Sequence, residues 1–261
     1  MWILFFMLNS LIWYDFYTDA EWEVMGGGVA GALNSAGIFY NPAGHIDSFR
    51  KIDLSFSFRN LYNIRDLNYL SFGMLLNVYR GFLFGVGWWH GGVKDLLIRN
   101  IIFLNFAYGV KSLRIGLNAG LLARSFKYGE ISYSRDAIFW GSGVRVFFKN
   151  FILAFSGNFL NSPKLKYIDE KETIKPLWLT GLVYKNKKYD FLFNFSYNFG
   201  IKQAGLGFEK KFSSLRVFLG YTENFNFGFG LDLGKFDFNF GYVNKGLDLK
   251  GNYYVSFGLY F

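Results

Sequence analysis

Residues 225–243 read FNFGFGLDLGKFDFNFGYV. Phe, Leu or Tyr occupies every second position on either side of Gly234, and Asn, Gly or Asp stands between them. Successive side chains of a β-strand point to opposite faces of the sheet. The stretch is therefore typical of two strands joined at a tight turn, each with one apolar, aromatic face and one small or polar face.

The same alternation recurs from residue 51 to residue 261. We count fourteen strands, an even number, as single-chain bacterial outer-membrane barrels have; twelve is the alternative. The predicted strands are 51–60, 67–78, 81–90, 98–109, 112–126, 137–148, 150–160, 175–185, 188–199, 203–211, 213–222, 225–233, 235–243 and 252–261.

The predicted connections alternate in length. Those after the even strands are tight, and they lie around Arg80, Lys111, Lys149, Lys187, Ser213 and Gly234. Those after the odd strands include the long ones, at 61–66, 91–97, 127–136, 161–174 and 244–251, although 200–202 and 223–224 are short. Short turns at one rim and longer loops at the other are typical of outer-membrane barrels. This arrangement predicts both termini on the periplasmic side.

Composition excludes several classes of protein. The 261 residues are 52% hydrophobic and 23% aromatic, with no Cys. Disordered chains have few aromatics, and disulfide scaffolds or thiol chemistry need Cys. A helical membrane protein needs an apolar run of about 18 residues, and the chain has none. The net charge of +9 comes from scattered Lys and Arg rather than a basic run, so no nucleic-acid partner is expected.

A lipid-facing barrel explains the two faces better than a soluble sandwich of two sheets. The non-aromatic face carries Gly, Ser, Asn and isolated charges, which suits a lumen, and the other is rich in Phe and Tyr. In hydrocarbon, strands satisfy their backbone polar groups only when the sheet closes. The sequence predicts an all-β, closed antiparallel transmembrane barrel of the bacterial outer membrane, built from residues 51–261.

The N-terminal part has two predicted segments. Residues 1–20 include the apolar stretch MWILFFMLNSLIW and have the length of a signal peptide, but no Lys or Arg precedes Arg50. A mature N-terminal strand and a mis-set start codon are the alternatives. Residues 21–50 are predicted to form a hatch segment before the barrel.

Residues 26–44 read GGGVAGALNSAGIFYNPAG. This stretch resembles the N-terminal signature of the outer-membrane FadL-type hydrophobic-compound transporters and their PorV/PorQ-like relatives, although 33–35 lack the acidic residue usual there. The matching residues are Gly26, Gly27, Gly28, Ala30, Gly31, Ala32, Tyr40, Asn41, Pro42, Ala43 and Gly44. The resemblance implies a hatch packed in the barrel mouth. The alternative for Gly26–Gly28 is a flexible linker.

The final strand also resembles a known signal. Apolar residues at alternate positions, Phe257 and Leu259 among them, lead to a terminal Phe261. This pattern resembles the C-terminal signal by which outer-membrane proteins are recognised for assembly. It implies the barrel assembly machinery as a partner, together with the lipids of the outer membrane.

Inward-facing residues are the candidates for contact with a cargo. A lumen that mixes aromatic rings with Arg could hold an amphiphile, with the rings on its tail and a guanidinium on its carboxylate. The candidates are Arg114, Arg124, Arg145, Arg216, Trp89, Phe103 and Phe139. The alternative is that each Arg braces the lumen by pairing with a carboxylate, since buried charges are generally paired. The carboxylates considered are Asp53, Asp190, Glu209, Asp232 and Asp237.

These observations predict passive transport of hydrophobic or amphipathic, fatty-acid-like small molecules across the outer membrane. The alternative is a structural or secretion-accessory barrel like the PorV/PorQ relatives, in which the loops at 127–136 and 161–174 matter more. An enzyme is not expected: His45 and His90 lie in no nucleophile motif such as G-x-S-x-G. No catalytic residue, metal site or cofactor is predicted.

Overall fold

The computed structural model describes most of the chain. The described residues are 19–28, 30–44, 51–61, 63–64, 66–93, 96–128, 131–166, 171–198, 201–244 and 251–261. Residues 1–18 and His45 lie outside them, so the predicted signal peptide is not tested. Among the described residues, no helix is long and apolar enough to span a membrane.

Fourteen antiparallel strands form a closed barrel, which confirms the predicted fold. Neighbours in sequence are neighbours in the sheet, and β1 pairs with β16 to close it. With β8 and β9, which lie outside the barrel sheet, the strands of the described residues are β1 (Ile52–Asn60), β2 (Leu67–Tyr79), β3 (Phe82–Val93), β4 (Leu97–Val110), β5 (Leu113–Tyr128), β6 (Ile131–Phe148), β7 (Phe151–Asn158), β8 (Lys164–Lys166), β9 (Lys171–Thr173), β10 (Leu177–Lys185), β11 (Tyr189–Asn198), β12 (Ile201–Phe212), β13 (Leu215–Tyr221), β14 (Phe225–Asp232), β15 (Phe236–Val243) and β16 (Asn252–Tyr260).

Two departures from the sequence prediction lie on one side of the barrel. Strand β6 starts at Ile131 rather than at residue 137, so the predicted loop at 127–136 is wrong; the exposed charged pair Arg135–Asp136 interrupts the apolar alternation there. The stretch at 161–174, predicted to be a solvated loop, contains the separate two-stranded hairpin β8–β9. As a result, β7 pairs directly with β10.

Burial follows the predicted alternation. In β7, Phe151, Leu153 and Phe155 are exposed on the outer face, whereas Ile152 and Ala154 are buried inside. The outer face is a belt of large apolar side chains, as lipid contact requires. Most of the polar and small residues of the strands face the lumen.

The tight turns define one end of the barrel, called here the short-turn end; the opposite rim is the long-loop end. Arg80, Lys111, Lys149 and Ser213 have left-handed φ angles of 38° to 49°, and Gly234 has φ 81°. Such backbone angles are typical of the residues that close two-residue hairpin turns. The predicted tight connections are therefore confirmed at these positions.

The N-terminal segment lies inside the barrel. We call its described residues, 19–28 and 30–44, the plug. It contains a short helix, α1 (Ala20–Val24), which begins where the Asp19 carboxylate accepts a hydrogen bond from the Glu21 N–H at 2.9 Å. A 3₁₀ helix, Ser35–Phe39, follows and is capped in the same way by Asn34.

Candidate functional site

The plug backbone lies directly against glycines of the barrel wall. A Cβ built on Gly220 would lie 1.7 Å from the Val24 carbonyl oxygen, and one on Gly116 would lie 2.0 Å from the Pro42 carbonyl oxygen. Any other residue at these two positions would collide with the plug backbone. The small residues of the inward face therefore have a structural cause: they leave room for a second layer of chain.

The Asn-Pro-Ala-Gly turn and the preceding Tyr40 are hydrogen-bonded to three wall strands, β4, β6 and β7. Asn41 donates through Nδ2 to the carbonyl oxygens of Val144 on β6 (3.2 Å) and Phe155 on β7 (3.4 Å). Asn105 on β4 donates to the Pro42 carbonyl at 2.8 Å. On β7, Ser156 donates to the Tyr40 carbonyl at 2.7 Å. The motif thus holds the plug against these strands, although its role as a hatch stays a prediction.

The rest of the plug is held by single polar side chains of other strands. The Ser35 N–H and hydroxyl donate to Asp53 on β1, at 2.9 and 2.5 Å. Asn194 on β11 donates to the Gly27 carbonyl, and Lys185 donates to the Gly31 carbonyl at 3.1 Å. These bonds come from widely separated strands, so the plug is anchored around the barrel and not at one point.

The lumen side formed by β7 and β10–β16 encloses α1 and a group of charges; we call it the plug half. Arg216 on β13 pairs with Glu21 of α1. Its Nη2 donates to Asn239 at 2.7 Å, and its guanidinium lies 3.6 Å from both Glu209 and Asp237. Arg216 therefore has the arrangement of the predicted alternative, in which an Arg braces the lumen by pairing with carboxylates: its guanidinium faces three of them.

Two further carboxylates complete the description of these charges. Asp190 accepts an ion pair from Lys211 at 2.8 Å. Asp19, at the start of α1, has its pKa raised to about 8 by burial first and then by the nearby negative charges of Glu21 and Asp237.

Asp232, one of the predicted pairing partners, is exposed at the short-turn end and caps a turn by accepting from the Gly234 N–H, so that part of the alternative is wrong.

The opposite side of the lumen, formed by β2–β6, holds a cluster of buried aromatic rings beside the buried Arg99, Arg124 and Arg145; we call it the aromatic half. Phe103 contacts Phe39 of the plug and Phe139 of β6, with ring centroids 5.1 and 6.4 Å apart. Phe139 in turn lies 4.9 Å from Phe159. A cavity of about 20 Å³ remains among these rings, bounded also by Ile101, Asn118 and Asn158.

The β8–β9 hairpin adds to this cluster at the long-loop end. Leu165 on β8 and Ile174 just after β9 are fully buried against it. Glu172 on β9 pairs with Arg124 on β5. The pair joins the hairpin to the barrel wall. It was not foreseen from the sequence, because Glu172 lies in a polar stretch that alternates too briefly to be recognised as a strand.

The structure brings the predicted cargo residues to separate places. Trp89, Phe103 and Phe139 are buried in the aromatic half. Arg124 lies at the hairpin and Arg216 in the plug half, as described above. Arg114 and Arg145 are cross-strand neighbours of β5 and β6 near the short-turn end. The inward side chains do not form one continuous binding surface, and their contact with cargo stays a prediction.

The remaining predicted positions are placed as follows. Gly26–Gly28 and Tyr40 line a cavity of about 230 Å³ beside Asn194. Phe257 is exposed on the outer face, and the Phe261 carbonyl accepts from Ile52 at 3.0 Å, which ties the last residue to β1. The assembly role stays a prediction.

Sequence reasoning overlooked Arg59, which joins the two halves at the long-loop end. Its guanidinium lies 4.4 Å from the ring centre of Tyr69 on β2 and 5.6 Å from that of Tyr254 on β16. The sequence feature that could have indicated this contact is an inward Arg flanked by aromatic residues on both neighbouring strands.

Among the described residues, no three His, Cys, Asp or Glu side chains lie together as metal ligands would. His90 bonds Asn100 through Nδ1 at 2.8 Å and stacks with Trp88, with ring centroids 5.9 Å apart. The contacts described for His90 are therefore those of a residue packed within its sheet.

Solved structures share this fold. The toluene transporter TbuX of Ralstonia pickettii matches with a TM-score of 0.65 and 10% identity over 93% of this chain and 98% of that chain. The toluene transporter TodX of Pseudomonas putida matches at 0.63 and 12% over 93% and 98%, and a Pseudomonas aeruginosa FadL homologue at 0.62 and 9% over 93% and 98%. No family model and no curated protein matches the sequence.

At such low identity these matches establish the fold. The chain is an outer-membrane-type β-barrel with the architecture of FadL-type transporters, as the stretch at residues 26–44 predicted. The neighbours are transporters and channels rather than enzymes.

Proposed function

We propose that this barrel passively transports hydrophobic or amphipathic small molecules across the bacterial outer membrane. The observation that carries the proposal is the aromatic half: a lumen wall of buried rings, with a small cavity among them, next to a plug held by non-covalent bonds. Sites for apolar ligands are concave and lined by aromatic side chains with a few polar groups. The toluene transporters of the same fold support the proposal.

The long-loop end is the proposed entrance, on the outer side of the membrane. The hairpin residues Leu165 and Ile174 cover the aromatic half there, and the Arg124–Glu172 pair is the charged link that holds them. Glu172 is a quarter exposed, so water reaches its carboxylate, whereas the Arg124 guanidinium is buried and favours a replacement anion when the pair separates. Separation of the pair would uncover the rings of Phe139 and Phe159 to an incoming apolar molecule.

An amphipathic cargo with a carboxylate has a specific place to bind in this scheme. Its carboxylate would replace that of Glu172 on Arg124, because guanidinium groups pair strongly with either. Its tail would enter among the rings of the aromatic half. A fatty-acid-like cargo is therefore the finer part of the proposal, and an uncharged aromatic molecule would use the rings alone.

Uptake into liposomes containing the purified barrel tests the proposal. We expect entry of a monoaromatic hydrocarbon or a medium-chain fatty acid to exceed protein-free leakage, and a sugar of similar size to be excluded. Arg124→Gln should slow the fatty acid and leave the hydrocarbon unchanged. If all solutes entered equally fast with and without the protein, transport would be refuted. If that same non-conducting barrel captured a protein partner, the accessory alternative would be favoured.

A further inference from the structure

The exposed charges at the short-turn end have one sign. Among the described residues there, eight basic side chains are exposed against one acidic side chain, Asp232. The basic residues are Lys51, Arg80, Lys111, Lys149, Lys187, Lys188, Lys210 and Lys235. The carboxylates of the same region, such as Asp53 and Glu209, are buried in the lumen. At the long-loop end, exposed acids and bases are mixed, as Arg135 and Asp136 illustrate.

Three of these basic residues occupy backbone positions that disfavour them. Arg80, Lys111 and Lys149 have left-handed φ angles of 38°, 49° and 49°. Such angles are usual for Gly or Asn and cost other residues about 1 kcal/mol. The β14–β15 turn shows the ordinary solution, with Gly234 at φ 81°. Three basic side chains are thus placed where turn geometry alone would select Gly or Asn.

The same three turns are adjacent in space. The Gly109 N–H, two residues before Lys111, donates to the Gly81 carbonyl at 3.0 Å. The Phe147 N–H, two residues before Lys149, donates to the Ser112 carbonyl at 2.7 Å. The β2–β3, β4–β5 and β6–β7 turns therefore form one continuous basic rim.

An apolar groove of about 770 Å³ lies on the outer wall immediately inside this rim. Its sides are formed by Tyr79, Phe82 and Tyr108 on β2–β4 and by Leu117 on β5. The groove reaches Ser142 on β6, a small residue between Leu117 and Gly157 in the strand register. The small side chain of Ser142, beside the large side chain of Leu117, leaves a depression in the lipid-facing surface.

We propose that this groove binds one acyl chain of an anionic phospholipid, with the phosphate held by Arg80 and Lys111. The charge argues for the headgroup, because basic residues next to a membrane attract anionic lipids. The Arg80 guanidinium, 5.1 Å from the ring centre of Tyr79, stands at the groove mouth. The apolar lining argues for the acyl chain, because a chain seated in the groove makes van der Waals contacts along its length. This lipid site is on the outer wall and is independent of transport through the lumen.

The headgroup part is tested with Arg80→Asn/Lys111→Asn, because Asn tolerates left-handed angles and the turns should still fold. Native mass spectrometry would measure retention of phosphatidylglycerol and of phosphatidylcholine with the same acyl chains. We expect the wild type to prefer phosphatidylglycerol and the variant to bind it about thirtyfold more weakly, since each of the two basic residues contributes about 1 kcal/mol near an anionic surface. Heat-modifiable migration in gels would check that the barrel is intact.

The matched control is Lys188→Asn/Lys235→Asn, which removes two exposed charges that do not border the groove. It should retain the lipid as the wild type does. Equal loss of phosphatidylglycerol binding in both double variants would overturn the proposal, because it would show that basic residues attract the lipid wherever they lie. Equal retention of the two lipids by the wild type would overturn it as well.

The acyl-chain part is tested at Ser142. Ser142→Leu fills the depression and should lower lipid retention severalfold, whereas Ser142→Ala keeps the space and should not. Unchanged retention in Ser142→Leu would show that the groove does not seat the chain.

Discussion

The two halves of the lumen are filled by different means. In the plug half, backbone and charge fill the space: α1 lies against wall glycines, and Arg216 faces three carboxylates. In the aromatic half, side chains fill the space, and Arg124 pairs with Glu172 of the hairpin. Hydrogen bonds hold the plug in both halves, but α1 is surrounded by a charge network and Phe39 of the plug by aromatic rings.

This difference indicates which half can change shape. Ring contacts are individually weak and adjust by rotation of side chains. A buried cation among carboxylates cannot leave without leaving them unpaired, at a cost of several kcal/mol. We therefore expect cargo to move through the aromatic half while the plug half keeps α1 in place, and the following predictions test that contrast.

The largest effect is expected at Arg216. Arg216→Met leaves Glu21, Glu209 and Asp237 without their shared cation and should lower the free energy of unfolding by about 3–5 kcal/mol. Planar-bilayer recording should also show a higher ion conductance as α1 loosens. Lys210→Met, on the neighbouring strand but exposed outside, is the control and should change neither. Unaltered conductance in Arg216→Met would mean that the charges do not hold the plug.

Phe103 tests the aromatic half. Phe103→Ala removes a ring that contacts both Phe39 and Phe139 and should cost about 3 kcal/mol of unfolding free energy. It also enlarges the cavity, so flux of a small aromatic solute should rise without any rise in ion conductance. Phe106→Ala, exposed on the outer face of the same strand, should leave flux unchanged. Equal effects of the two variants on flux would contradict a route through the aromatic half.

The plug half should respond to pH through Asp19. Its pKa is about 8 in the folded protein and near 3.8 when the chain is unfolded, so the folded state binds the proton more tightly. Stability is then highest below pH 4, falls by up to about 1.4 kcal/mol per pH unit as pH rises, and levels off above pH 8.

Hydrogen exchange of the plug amides between pH 6 and 8 would measure this loss, after correction for the intrinsic exchange rate. Asp19→Asn keeps the helix cap and should remove the part of the pH dependence that Asp19 contributes, leaving a smaller response. A pH response that persists at full size in the variant would assign it to another group.

The smallest effect is expected at the hairpin. Glu172→Gln removes the charge that pairs with the buried Arg124, and because Glu172 itself is partly exposed the cost should be about 1–2 kcal/mol. The hairpin should open more often, which limited proteolysis between residues 164 and 173 would report. Cleavage no faster than in the wild type would show that the pair does not hold the hairpin closed.

The sequence predicted much of the architecture and little of the site. Strand number, face assignment and the turns at Arg80 and Lys111 follow from local alternation and were found as expected. The β8–β9 hairpin was not foreseen, since three-residue strands carry too few alternating positions. The inward position of Arg216 was predicted, but its partner in α1 was not.

The sequence alone determined the strands and their two faces. In a barrel one face contacts lipid and the other the lumen, so the polarity of each residue indicates the face on which it lies. Only the tertiary structure decided which residues contact each other in the lumen. Glu21 and Arg216 are 195 residues apart, and Asn41 and Val144 are 103 apart. Their contact depends on the closure of the sheet and on the path of the plug through it, and neither is encoded in any local stretch of the chain.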